Sequence, residues 1–455
     1  MNQKSIFLSF QMLASFKSSS SSSEDATENP PPPPPPLCLA SSSAATSAAH
    51  HLRRLLFTAA DFISQSNVSA ARNILSILST NSSPYGDSTE RLVHLFTKAL
   101  SVRSGLSENA ATWTTNEMTS SSTVFTSSVC KEQFLFRTKN NNNSDLESCY
   151  YLWLNQLTPF IRFSHLTANQ AILDATESNN NGNGALHILD LDISQGLQWP
   201  PLMQALAERS SNPSSSTPPP SLRITGCGRD VTVLNRTGDR LTRFASSLGL
   251  QFQFHTLVIV EEDLAGLLLQ IRLLALSAVQ GETIAVNCVH FLHRFFNDDH
   301  GDMIGHFLSA IKSLNPRIVT MAEREANHGD PSFLTRFSEA VDHYMAIFDS
   351  LEATLPPNSR ERITLEQRWF GKEILDVVAA EAAERKQRHR RFEVWEEVMR
   401  RHGFVNVPIG SFAFSQAKLL LRLHYPSEGY NLQFLNDSLF LGWKNRLLFS
   451  VSSWK

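Results

Sequence analysis

The feature that most restricts the fold is a change of period near residue 185. Upstream, apolar residues recur every three or four positions; downstream, short apolar runs alternate with helix-length segments. These runs lie at 186–191, 222–225, 250–254, 283–289 and 317–321. Such alternation predicts a mostly parallel sheet with helices on both faces, an α/β fold of Rossmann-like, methyltransferase-like type. Toward the C-terminus the apolar triplets Tyr430, Leu432, Phe434 and Leu439, Leu441, Trp443, then 447–451, are separated by Asn436 and Asp437 and by 444–446. They read as short antiparallel strands at the sheet edge. Long helices are expected over 337–353 and 374–383, parted by Pro356 and Pro357.

Before residue 185 the chain divides in two. Residues 1–49 hold the serine tract 18–23 and the proline run 30–36, which cannot bury enough apolar surface to offset ordering entropy, so a disordered tail is expected. Over 50–178 the helical spacing of Leu52, Leu55, Leu56, Ala59 and Ile63, of Ala71, Ile74, Leu75 and Leu78, and of Leu92, Leu95, Phe96 and Ala99 predicts three amphipathic helices. A further helix resumes over 151–173, after polar loops at 105–128 and 140–144. This part reads as an α-helical cap on the α/β core of 185–455, with 355–400 contributing to it.

Composition excludes some functions. Lys and Arg number 40 against 43 Asp and Glu, so no overall positive field exists to hold nucleic acid by phosphate neutralisation alone. The five cysteines are scattered and odd in number, which argues for a reducing compartment. The apolar stretch 264–279 is broken by Gln270 and Arg272, and 6–16 by Gln11, so neither a membrane span nor a signal peptide is expected.

The loop after the first run is the most informative stretch. It reads LHILDLDISQGLQWPP over 186–201, with Pro200 and Pro201 suited to the first turn of a helix. Against the methyltransferase pattern of an acid followed by three alternating glycines, Asp190 takes the acidic place, Asp192 and Ser194 replace two glycines, and Gly196 is kept. Side chains there crowd the approach a nucleotide needs, so no cofactor is expected. The second run ends in Gly226, Cys227 and Gly228, leaving Asp230 as the nearby acid. Asp190, Asp192, Gln195 and Gln198 are expected to cap backbone amides and helix ends rather than to bind a small molecule. Arg324 and Glu325 sit where such folds bind ligands, yet an ion pair is the simpler role. Cys288, His290, His293, His300 and His306 crowd one region without metal-ligand spacing, so no metal site is expected. The basic run Arg385, Lys386, Arg388, His389, Arg390 and Arg391 is read as a solvated helix face beside Glu381, Glu384, Glu393, Glu396 and Glu397, with nuclear import as its functional alternative. No GxSxG elbow is present.

Several blocks resemble the GRAS family. Leu186, His187, Ile188, Leu189 and Asp190 look like its VHIID core, and QGLQWPPLMQAL, containing Gln198 and Trp199, and LRITGCG match the flanks. Pro316 and the following AEREANH, then the segment carrying Phe337 and Tyr344, are similar to its PFYRE region. Trp443, Ser452, Ser453 and Trp454 lie in a stretch similar to its SAW block, Ser453 standing where the family has alanine. The text of 51–94 is most similar to the lateral suppressor subgroup. The resemblance implies a nuclear transcriptional regulator that binds other transcription factors or co-regulators and controls axillary meristem initiation and shoot branching; the leucine-rich helical cap offers a surface for homo- or heterodimers, and the near-neutral charge points to DNA contact shared with partners. Two rivals remain: an S-adenosylmethionine-dependent methyltransferase, and direct sequence-specific DNA recognition.

Overall fold

The computed structural model describes residues 40–106, 143–177, 185–210, 221–260, 263–276, 282–296, 303–356, 358–381 and 384–455. The serine and proline runs, the segment 6–16, most of the loop 105–128 and His300 lie outside them.

The helices are α1 (Ala40–Ser64), α2 (Val68–Thr80), α3 (Ser88–Arg103), α4 (Asn143–Leu157) and α5 (Pro159–Glu177) before the sheet begins. The first starts inside the segment read as tail, because SAATSAA is rich in the strongest helix former. Then β1 (Leu186–Asp190), α6 (Trp199–Ser210), β2 (Leu222–Gly228), α7 (Val231–Ser247), β3 (Phe252–Val258), α8 (Leu264–Leu276), β4 (Thr283–Val289), α9 (Met303–Ser313) and β5 (Ile318–Arg324) alternate as expected. A 22-residue helix, α10 (Phe333–Thr354), leads to α11 (Arg360–Thr364), a π-helical turn (Leu365–Phe370) and α12 (Gly371–Ala379). The chain closes with α13 (Phe392–Arg401), β6 (Asn406–Val407), α14 (Ser411–His424), β7 (Tyr430–Leu435), β8 (Ser438–Trp443) and β9 (Arg446–Trp454).

The strands form one sheet in the order β3-β2-β1-β4-β5-β9-β8-β7, with β6 beside β9. Pairing is parallel from β3 to β5 and antiparallel from β5 onward. Two strands run further than apolar content suggests: β3 extends to Val258 because Gly228 pairs with it, and β5 extends to Arg324 because it pairs with Phe449. The C-terminal strands are also more than a fringe. β9 lies inside the sheet between β5 and β8, and β7 alone of the three forms the border.

Alternation along β1 shows how the sheet is buried on both faces. Leu186 and Ile188 join the apolar cluster that includes Leu56, Phe96 and Phe337, whereas Leu189 belongs to a second cluster with Val286, Met321, Phe440 and Trp454. The helices of 40–177 and 333–379 therefore cover one face. No helix among the described residues is long and apolar enough to cross a membrane.

The helical segments are joined to the π-helical turn by a buried ion pair. Arg91 Nε and Nη2 donate to Glu366 Oε2 and Oε1 at 2.8 and 3.1 Å, and both side chains are almost fully enclosed. Arg91 Nη1 also reaches Glu352 at 3.0 Å. Removing one partner strands the other charge in a dry interior. Arg91→Met is therefore expected to lower stability by about 3 kcal/mol, and adding Glu366→Leu should recover most of it. Urea unfolding midpoints of the two variants check this.

Candidate functional site

At the carboxyl end of β1 the chain places Asp190, where α/β proteins receive ligands. Its carboxylate is buried and already engaged: Trp199 Nε1 donates to Oδ2 at 2.9 Å and Asn287 Nδ2 to Oδ1 at 3.0 Å. Asn287 stands on β4 and exchanges two 3.0 Å hydrogen bonds with the Gln198 amide, while the Thr320 hydroxyl on β5 donates to its Oδ1 at 2.9 Å. Gln198 also donates to Asn169 Oδ1 on α5, whose Nδ2 returns a bond to the Gln198 carbonyl. A continuous buried amide network thus spans three strands and one helix. Burial pushes the Asp190 carboxyl up to about 7, against the opposing hydrogen bonds from Asn287 and Trp199.

The loop beyond Asp190 is closed by its own residues. Asp192 Oδ2 accepts from Arg294 Nη2 at 2.7 Å. The Ile193 amide donates to the Cys227 carbonyl at 3.0 Å, and its side chain packs over Gly226, where a Cβ would lie 2.8 Å from Ile193 Cδ1. The carboxyl end of β2, where a nucleotide ribose would meet an acid, is therefore covered by an apolar side chain. Ser194 and Gly196 turn the chain at φ 46° and 65°. A Cβ on Gly196 would meet Thr237 Cγ2 at 2.7 Å, so this glycine serves close helix packing. Gln195 accepts from Arg240 Nη2 at 3.0 Å and donates to Ser148 Oγ at 2.8 Å.

These contacts correct the expected capping role. Asp190, Asp192, Gln195 and Gln198 bind side chains of neighbouring elements, mostly not backbone amides or helix ends. The reason is local: Pro200 and Pro201 have no N–H, so the first turn of α6 offers few amides to cap. Asp230 caps instead, accepting from Thr232 N at 2.8 Å and Val233 N at 3.3 Å at the start of α7.

Arg324 makes the ion pair. Its Nη1 and Nη2 each donate to Glu373 at 2.6 Å, and the Tyr344 hydroxyl donates to Glu373 Oε2 at 3.2 Å. Glu325 Oε2 accepts from Phe392 N at 3.2 Å, and burial pushes this carboxyl up to about 7. The basic run departs from the expectation of a helix face. Residues 385–391 are irregular, and Arg385, Arg388 and His389 are buried. Asp376 takes the amides of Lys386 and Gln387, a claim on the backbone that helix formation could not share, and Arg390 Nη1 donates to Asn327 Oδ1.

The histidines also regroup. His306 is exposed and His290 ends β4 at φ 53°, whereas His293 Nδ1 lies 3.0 Å from Glu323 Oε2, with His389 Nδ1 3.8 Å from the same oxygen. The other motif residues serve packing. His187 Nε2 meets Thr225 Oγ1 at 2.8 Å, Trp443 Nε1 donates to Asp349 Oδ2 at 2.7 Å, Ser453 Oγ donates to the Val407 carbonyl, and Trp454 Nε1 donates to Ser452 Oγ. Phe337 and Tyr344 are core residues of α10, and Pro316 borders a shallow cleft of about 400 Å³ with Lys312, Arg317 and Lys455 at the opposite end of the strands. Asn287, Arg294, Glu323 and Glu373 escaped the sequence reading of this site, and His389 entered it only as part of the basic run; the one visible signal was Asn287, an amide inside an apolar strand.

The sheet order and the self-filled crevice define a Rossmann-like α/β scaffold. The chain belongs to the GRAS domain family, whose profile matches residues 52–455. It is 88% identical over 411 residues to Scarecrow-like protein 18 of Arabidopsis thaliana, covering 89% of this chain and 91% of that protein. It is 39% identical over 424 residues to Protein MONOCULM 1 of Oryza sativa subsp. japonica, covering 89% and 88%. The crystal structure of SCL7 in Oryza sativa superimposes with a TM-score of 0.69 at 30% identity, covering 89% of this chain and 99% of that one. These likenesses agree with the lateral suppressor-type text at 51–94 and make the chain a GRAS family regulator.

Because burial pushes the folded carboxyl of Asp190 up to about 7, above its ordinary value of 3.8, the folded state holds an extra proton between those limits. Its contribution is full below the unfolded value and declines as pH rises through about 7. Asp190→Asn is expected to flatten that downward slope. Urea midpoints of both proteins at pH 5 and pH 7 measure it.

Proposed function

We propose that this chain is a nuclear transcriptional regulator working through protein–protein contacts with other transcription factors or co-regulators, and that it controls axillary meristem initiation and shoot branching. The developmental part rests on the lateral suppressor-type likeness. The physical part rests on one observation: the Asp190, Asp192, Gln195 and Gln198 side chains of the β1 loop are already bonded to protein, so the crevice is built as a brace. Membership of the GRAS domain family and likeness to Scarecrow-like protein 18 and Protein MONOCULM 1 support the same reading over an S-adenosylmethionine-dependent methyltransferase.

Contact with DNA is assigned to complexes with partners, since a formal net charge of −3 supplies little counterion release. Protein partners have apolar surface to meet: Leu269 and Leu273 on α8 are 59% and 53% exposed. The helical region of 50–178, with a contribution from 355–400, is proposed as the cap through which homo- or heterodimers form.

Calorimetry with S-adenosylmethionine is expected to show no micromolar binding, and purified protein alone should not shift promoter fragments at physiological salt. Affinity capture from plant nuclei should recover sequence-specific DNA-binding proteins. Micromolar S-adenosylmethionine binding abolished by Asp190→Ala, or a specific DNA shift without a partner, overturns the proposal.

A further inference from the structure

Three elements far apart in sequence converge on one buried carboxylate. Glu323 is the penultimate residue of β5, His293 lies in the 3-10 turn Leu292–Phe295 that follows β4, and His389 belongs to the irregular segment 384–391. One ligating atom from each lies within 4.8 Å of the others. The Leu292 and His293 amides donate to Glu323 Oε1 at 2.7 and 3.3 Å, which leaves Oε2 facing the two imidazoles. The rings are 4.2 Å apart between centroids.

Proton bookkeeping at His389 makes this arrangement incomplete by itself. Its Nε2 lies 2.9 Å from Gln387 Oε1, an oxygen that can only accept, so Nε2 carries the proton. In the neutral ring Nδ1 then presents a lone pair, and it has no hydrogen-bond partner. That lone pair stands 3.8 Å from Glu323 Oε2, another acceptor, in a site closed to water. A proton on Nδ1 does not resolve the conflict, because 3.8 Å is too long for a hydrogen bond. A cation between the two acceptors does.

We propose that His293 Nδ1, Glu323 Oε2 and His389 Nδ1 hold a divalent transition-metal cation of the zinc class. Bonds of about 2.0 Å in a tetrahedral array set ligand atoms about 3.3 Å apart. The separations from Glu323 Oε2, a 3.0 Å hydrogen bond to His293 Nδ1 that the ion would replace and 3.8 Å to His389 Nδ1, bracket that spacing. Imidazole and carboxylate donors suit such an ion, and Gln387 fixes the His389 tautomer as an outer partner. The ion clips segment 384–391, and with it the basic run, to the ends of β4 and β5.

The test uses the full chain, loaded with zinc, dialysed against metal-free buffer and assayed by elemental mass spectrometry. About one equivalent is expected to remain, and Glu323→Gln and His389→Gln should each weaken binding at least about tenfold, while the exposed His306→Gln leaves it unchanged. Chelation should also speed proteolysis within 384–391. Should either variant fail to fold, the cobalt(II) spectrum of the unaltered protein decides: tetrahedral bands without a thiolate charge-transfer band support the site. A thiolate band, retention below about a tenth of an equivalent, or undiminished binding in both folded variants overturns it.

Discussion

The carboxylate of Asp190, held between the Trp199 indole and the Asn287 amide, is the contact on which this end of the sheet depends. A buried carboxyl without donors would be intolerable, so its burial obliges both partners to remain in place. Trp199 opens α6 and Asn287 lies on β4, so one side chain fixes a helix start and a neighbouring strand together. The amide chain through Gln198, Asn169 and Thr320 carries the constraint to α5 and β5.

Buried charge follows the same pattern elsewhere. Arg91 with Glu366 and Arg324 with Glu373 are bidentate pairs, and each joins segments more than 45 residues apart. Such pairs add little net stability over apolar replacements, yet they penalise misplacement heavily, because a helix out of register leaves a bare charge in the interior. They set how the helices of 40–103 and 360–379 meet the sheet, a precision that leucine packing alone supplies weakly.

Much of the architecture could be read from residue order. The alternating apolar runs after 185, the C-terminal antiparallel strands and the leucine-spaced helices all appear, since each is set by a local period of two or near 3.6. Asp192 and Ser194 were likewise visible in the loop after the first strand. The partners of the loop's polar groups were not legible. Arg294 lies 102 positions from Asp192, and Asn287 lies 97 from Asp190, distances over which no local pattern carries information. The run 385–391 shows the opposite failure: its composition favours a charged helix, and the Asp376 carboxylate claimed its amides instead.

By itself, then, the order of residues determined which stretches become strands and helices, the near-neutral charge and the loss of glycines after β1, because these depend on neighbours a few positions away. Tertiary structure alone decided that Ile193 covers the end of β2, that Arg324 faces Glu373, and that His293, Glu323 and His389 share one dry site. Those outcomes depend on burial, which exists only once distant elements have closed over one another and removed the water that would otherwise satisfy each polar group.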